Sequence, residues 1–251
     1  MPTSLARSAR SRPVVNEQDR TPPWQPETLT ARFSVVALHL LPGILAYGLL
    51  RTVREPLQDR LGISSAEVQI GIIMTGVMLL MGAATFVFAR VLDGLTPRDA
   101  LRLTGITSFD PVGVLVAVAI WLVVLAVPAI VGYEDDLRSL VEGVDWLALP
   151  SWHFQANDGF RQLPPILGAF ALAANLVCEE LWFRGYLQDK LQFIGRFSWL
   201  VAGLLFILYH VFEAPIAYPG LVGGLGLAGL WAMRRDLWSC ILLHALLNAP
   251  V

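Results

Sequence analysis

Apolar stretches alternate with short polar segments from about residue 34 to the end of the chain, at lengths that predict membrane-crossing helices. Val35–Leu50 is the first and contains Pro42-Gly43, which predicts a kink. Val68–Ala89 and Val112–Tyr133 hold no charged residue, and each is long enough to cross a hydrocarbon layer of roughly 30 Å. A fourth stretch runs from about Leu163 to Leu187 and a fifth from Phe197 to Phe212. Leu221–Met233 and Leu237–Leu247 are shorter, so tilting, flanking residues or neighbouring helices must complete them. Gly220, Gly224 and Ala228 recur at every fourth position, a small-residue face that lets helix backbones approach. No segment shows strand-like alternation. The pattern therefore predicts an all-α, polytopic transmembrane helical bundle of about seven spans.

Residues 1–33 differ in character. Arg7, Arg10, Arg12, Arg20 and Arg32 stand among several prolines with no apolar run close behind the early arginines. A disordered cytoplasmic tail is expected there, without a cleavable signal peptide, followed by a membrane-embedded domain over 34–251. Composition agrees: 55% of the 251 residues are apolar, 15% are charged, and the mean hydropathy is +0.60. That excludes a soluble α/β protein and makes lipid the main partner. A net charge of −2 gives no basis for a nucleic-acid partner. Cys178 and Cys240 both lie in apolar stretches, as small buried hydrophobes do.

Charge between the stretches suggests orientation. Arg90, Arg98 and Arg102 follow the second stretch, Lys190 and Arg196 the fourth, and Arg234 and Arg235 the sixth. The segment after the third is acidic, with Glu134, Asp135, Asp136, Glu142, Asp145 and Asp158. The positive-inside rule then places the N-terminus in the cytoplasm. Arg51, Arg54 and Arg60 run against this, unless they belong to an interfacial amphipathic helix through Leu57 and Leu61.

The chemistry lies in the apolar stretches themselves. Glu179 and Glu180 are adjacent inside the fourth, where each carboxylate costs about 2.5–3.5 kcal/mol to insert. His210 and His244 lie in later stretches. Counted from the flanking loops, Glu179, His210 and His244 sit roughly 12–18 Å below one boundary, so three helices bring polar groups to a similar level. Consecutive helical residues point about 100° apart, so the two glutamates are not expected to face one cavity squarely. Arg184, four residues after Glu180, is placed for an ion pair with it. That leaves Glu179 to face the other helices as a candidate general base, with Asn175 one turn away in its hydrogen-bond network. Phe206 and His210 share one helix face, and His244 and Asn248 another. A glutamate and a histidine to activate water, with two donors for the developing oxyanion, make up the parts of an amide hydrolase. Each residue also has a structural reading: an ion pair, an interhelical hydrogen bond, a helix terminus. Their coincidence in three of the last four stretches is what points to chemistry. His39 and His153 have no such company and read as structural.

Glu179-Glu180-x-x-x-Arg184, Phe206-x-x-x-His210 and His244-x-x-x-Asn248, in this order on separate apolar helices, resemble the CAAX protease and bacteriocin-processing family of intramembrane proteases. The resemblance covers about residues 163–249. It implies a site enclosed by helices and an endopeptidase acting on the peptide or C-terminal tail of a membrane-associated protein. It also implies residence in a bacterial inner (plasma) membrane. Carried onto this chain, Glu179 and His210 activate the water, His244 and Asn248 stabilise the oxyanion, and Glu180, Arg184 and Phe206 support them. No cofactor is needed on that reading. A zinc held by Glu179, His210 and His244 is the alternative, although no His-Glu-x-x-His helix is present and Asn248 suits an oxyanion donor better. Cys178 as nucleophile ranks behind both. Two functions of other classes use the same residues. A non-catalytic regulator or immunity partner would bind with the pocket, and a proton-coupled transporter would relay protons through it. The transporter is disfavoured by the lack of inverted repeats.

Overall fold

The computed structural model describes residues 26–131, 156–210 and 221–249, and every regular element in them is helical. Most of the expected tail, the acidic run from Glu134 to Asp145, His153, Phe212 and Gly220 lie outside the described residues. The first helix, α1 (Leu29–Thr52), opens at Thr28, whose hydroxyl accepts from the Ala31 amide at 3.1 Å. This N-cap moves the helix start ahead of the first apolar run, so residues 29–33 belong to the helix and not to a tail. α1 continues through Pro42 as one helix. α2 (Arg54–Leu61) follows at once, buries no residue, and ends at Gly62 with φ 68°. It is a separate short helix carrying Arg54 and Arg60, while Arg51 stays in the last turn of α1.

Ser65 caps α3 (Ala66–Val91), accepting from the Val68 amide and donating to Glu67 at 2.7 Å. α4 (Pro97–Leu103) is capped in the same way by Thr96 and has Pro97 in its first turn, and α5 (Pro111–Val131) also opens on a proline. α6 (Ala156–Gln162) leads into α7 (Pro165–Trp182), which carries the glutamates. α7 does not end in the ordinary way. A π-type turn over Phe183–Leu187 and a 3₁₀ stretch over Gln188–Phe197 extend it, and the run breaks at Gly195, where φ is 75°. α8 (Ser198–Tyr209), α9 (Leu221–Arg234) and α10 (Leu237–Leu247) complete the described chain, with Asp236 capping α10.

Among the described residues, three helical stretches are long and apolar enough to cross a membrane: Leu29–Thr52, Ala66–Val91 and the 45 residues of Pro165–Tyr209. Pro111–Ala126 and Leu237–Leu247 are shorter apolar helices. α8, α9 and α10 have 12, 14 and 11 residues, roughly 17–21 Å of helix, and do not reach across a layer of roughly 30 Å alone.

α3 packs against α6 and α7, and α8 against α1 and α9. α10 packs against α5, α9 and α7. Missing side chains permit the closest crossings. A Cβ on Gly71 would lie 2.7 Å from the Gly159 carbonyl oxygen, and one on Gly224 would lie 3.1 Å from both Phe206 and Ile207. Within the small-residue face, Gly224 and the buried Ala228 therefore serve packing.

A second device positions the glutamate helix. The turn after α7 is tied to the surrounding helices by charge. Lys190, the one lysine of the chain, donates to Asp93 at 2.7 Å with both side chains buried. Asp189 pairs with Arg235 and accepts from Trp231 Nε1 at 3.2 Å, and Arg234 Nε donates to Asp110 at 2.6 Å. Gln188 Nε2 donates to the Ala228 carbonyl at 2.8 Å. These contacts gather the ends of α3, α7 and α9 with the start of α5, as the loop charges imply. Lys190→Met leaves Asp93 buried without its cation and is expected to cost about 3 kcal/mol. A thermal unfolding midpoint equal to wild type would contradict this clamp.

Candidate active site

Glu179 and Glu180 occupy the last turn of α7 and are 1% and 0% exposed; Arg184, in the π-type turn, is 1% exposed. As the spacing predicts, Arg184 Nη1 donates to Glu180 Oε1 at 3.2 Å. The guanidinium also lies 3.9 Å from the centre of the Phe206 ring, a cation–π contact inside an apolar surround. The edges of two imidazoles meet that ring as well. His210 approaches it at 4.7 Å and His244 at 6.3 Å, both near perpendicular. Phe206 is thus the surface on which the arginine and both histidines converge.

One expectation from helix phase is corrected. Glu179 and Glu180 do meet in one site, because His244 lies between them and offers a different nitrogen to each. Its Nδ1–H donates to Glu180 Oε1 at 2.8 Å, while Nε2 stands 3.7 Å from Glu179 Oε2. The second distance is too long for a direct hydrogen bond. Glu180 therefore both pairs with Arg184 and sets the orientation of His244 from α10.

Glu179 is held differently at its two oxygens. Oε1 accepts from Asn175 Nδ2 at 3.1 Å and from the Tyr209 hydroxyl at 2.8 Å. Oε2 is buried and has no hydrogen-bond partner. Asn175 in turn accepts from Asn248 Nδ2 at 3.3 Å, so Asn248 joins the site through Asn175 while its amide closes α10 on the His244 carbonyl at 3.0 Å. It acts as a helix terminus and as a site residue at once. His210 stands at the C-terminal end of α8. Its Nδ1–H donates to the Phe206 carbonyl at 2.7 Å, which in the neutral ring puts the lone pair on Nε2, and its ring meets that of Tyr209 edge-on at 4.5 Å.

The residues singled out from sequence are thus brought together: Glu179, Glu180, Arg184, Phe206, His244 and Asn248 through direct contacts, and His210 through Phe206 and Tyr209. Tyr209 was missed. The available signal was its place beside His210, on a helix expected to face the glutamates. The other candidates lie elsewhere. Cys178 Sγ rests over Gly82 of α3, where an added Cβ would lie 2.6 Å from it, and Cys240 is buried. His39 is buried on α1, its Nδ1–H donating to the Val35 carbonyl at 2.8 Å. Among the described residues, no three His, Cys, Asp or Glu side chains are arranged to hold a metal ion.

Two buried acids, an arginine and two imidazoles thus cluster among apolar helices of an integral membrane protein, where such groups mark a candidate functional site. Comparison with known families gives the class a name. Residues 161–250, 90 of the 251, match the family model described as Type II CAAX prenyl endopeptidase Rce1-like. That match supports a protease-like function. No curated protein and no solved structure matches the chain. The matched stretch contains α7 to α10 and every site residue named above, whereas α1 to α5 lie outside it.

Proposed function

We propose that this protein is an intramembrane endopeptidase that cleaves a peptide bond in the tail of a membrane-associated protein with a carboxylate-activated water. The observation that carries the reading is the asymmetry of Glu179. One oxygen is pinned by two donors, and the other is buried, unpartnered and across a 3.7 Å gap from an imidazole nitrogen. A water oxygen about 2.8 Å from both Oε2 and Nε2 fits at the apex of that gap. Glu179 takes one of its protons as the oxygen attacks the scissile carbonyl carbon. The carbonyl π-pair moves onto its oxygen, where the Nε2–H of a cationic His244, held through Nδ1 by Glu180, and the Asn248 carboxamide are the donors for the growing charge. His210 assists the water on the side of Phe206. As the tetrahedral intermediate collapses, the C–N bond breaks and the proton held by Glu179 passes to the leaving amine. The products are a free amine and a new carboxylic acid, which gives up its remaining proton to water on release.

The zinc alternative requires His210 beside Glu179 and His244 as a third ligand. The donation of His210 Nδ1–H to the Phe206 carbonyl presents Nε2 as an acceptor, which suits a base partner and a metal ligand alike. We further place the polar clamp around Lys190 on the cytoplasmic side of a bacterial plasma membrane, with the N-terminus on that side, from the loop charges. The test is to compare the peptides of membranes carrying wild-type protein with those carrying His244→Ala, each with and without a strong chelator. Peptides with new termini are expected with the wild type alone and unchanged by the chelator. Identical peptide sets would remove the protease reading in favour of a binding partner, and loss on chelation would restore the metal.

A further inference from the structure

Tyr209 is buried completely and occupies an unspecified position of the Phe206-x-x-x-His210 segment. We propose that Tyr209 is a positioning residue that turns the Glu179 carboxylate toward the reacting bond, and that Gly43 of α1 sets Tyr209 at the depth this requires. The inference rests on the endopeptidase reading above and brings into the site a helix outside the family-matched stretch.

A glutamate reaches its carboxylate through three rotatable bonds, so its direction inside a cavity depends on what grips the end. Asn175 donates to Oε1 from the same helix, one turn away, and moves with Glu179 when α7 moves. The Tyr209 hydroxyl donates to the same oxygen from α8 at 2.8 Å and thereby fixes the carboxylate relative to a second helix. That phenol is stiff. Its ring packs at 4.9 Å against Phe183 and at 4.5 Å against His210, and its hydroxyl also stands 4.0 Å from Met78 Sδ on α3. With Oε1 gripped from two directions, Oε2 is the oxygen left facing His244 Nε2. One phenol thus orients the acid and supports the adjoining imidazole.

The height of Tyr209 is set from outside. The backbone of α1 crosses the end of α8 so closely that a Cβ on Gly43 would lie 2.0 Å from the Tyr209 carbonyl oxygen and 3.2 Å from its Cα. Both atoms belong to the backbone and cannot rotate aside. Any side chain at position 43 must displace the end of α8, with Tyr209 and His210, from its place against α1.

The test uses the full chain in lipid nanodiscs with a peptide that the wild type cleaves. Glu179→Gln, Tyr209→Phe, Gly43→Val and the last two combined are compared by kcat, KM and thermal unfolding. Tyr209→Phe keeps the ring and removes the hydroxyl. Its kcat is expected to fall roughly 10–100-fold, with KM within about twofold and unfolding close to wild type, as for a misdirected catalytic group. Gly43→Val is expected to lower kcat as well, by a smaller factor in the Tyr209→Phe background because both act through one hydroxyl. A Tyr209→Phe protein with wild-type kcat, or one that only unfolds earlier, overturns the proposal while Glu179→Gln stays inactive. Wild-type cleavage by Glu179→Gln instead removes Glu179 as the base, and with it the carboxylate-activated water on which this inference rests. If Gly43→Val does not accumulate, Tyr209→Phe decides alone.

Discussion

Glu179→Gln is expected to abolish peptide cleavage while leaving a folded, membrane-inserted protein. The substitution keeps the shape of the side chain and one carbonyl oxygen, which still accepts from Asn175 and Tyr209. It also removes a buried charge, so no desolvation cost is added. What it takes away is the group that receives a proton from water. General-base catalysis contributes about 10²–10⁴-fold, and here the amide also presents an N–H₂ where the water must be held, so a loss of at least about 10³-fold in kcat is expected. Product formation by mass spectrometry, set against the amount of monodisperse protein recovered, separates lost chemistry from lost fold. Wild-type turnover would exclude Glu179 as the base.

Arg184→Ala is expected to act on the other property, the ability to fold. Arg184 is the one described cation touching Glu180, and both are almost completely buried. Removing it leaves a carboxylate in an apolar bundle with His244 as its remaining partner, at about 3–5 kcal/mol. Loss of the guanidinium from the face of Phe206 adds up to about 2 kcal/mol. The sum is comparable with the whole stability of an ordinary domain, so the variant should fail to accumulate. Arg184→Lys separates the two contributions. It restores a positive charge near Glu180 but not the flat group stacked on Phe206. Intermediate accumulation is expected, and thermal unfolding of detergent-solubilised protein measures it. Wild-type stability of Arg184→Ala would show that the buried pair is structurally dispensable.

Much of this site is legible in the chain. Glu180 and Arg184 are four residues apart on a helix, and so are Phe206 and His210, and both pairs meet as that spacing requires. Asn175 and Glu179 meet for the same reason. The reading was weaker wherever partners come from different helices. The phase of α7 argued against Glu179 and Glu180 sharing a pocket, and it is the geometry of a third residue that overrides it. An imidazole has nitrogens on two sides, and His244 enters at the border between the two glutamate directions. The ends of elements were also misjudged. Thr28 starts α1 before the apolar run, and the π-type turn carries helical structure past Trp182, because caps and local hydrogen bonds set helix ends independently of hydropathy.

The amino-acid sequence by itself determined that the chain is helical, that it resides in a membrane, and which few polar residues are too costly there to lack a task. Hydropathy, helix spacing and the insertion cost of charge act locally and can be read along a line. Tertiary structure alone decided that Tyr209 grips Glu179 across 30 positions and that Phe206 collects an arginine and two histidines. It also decided that a glycine on α1 admits the end of α8. Those contacts depend on how deep one helix sits against another, a distance set by the sum of packed side chains and by no single segment.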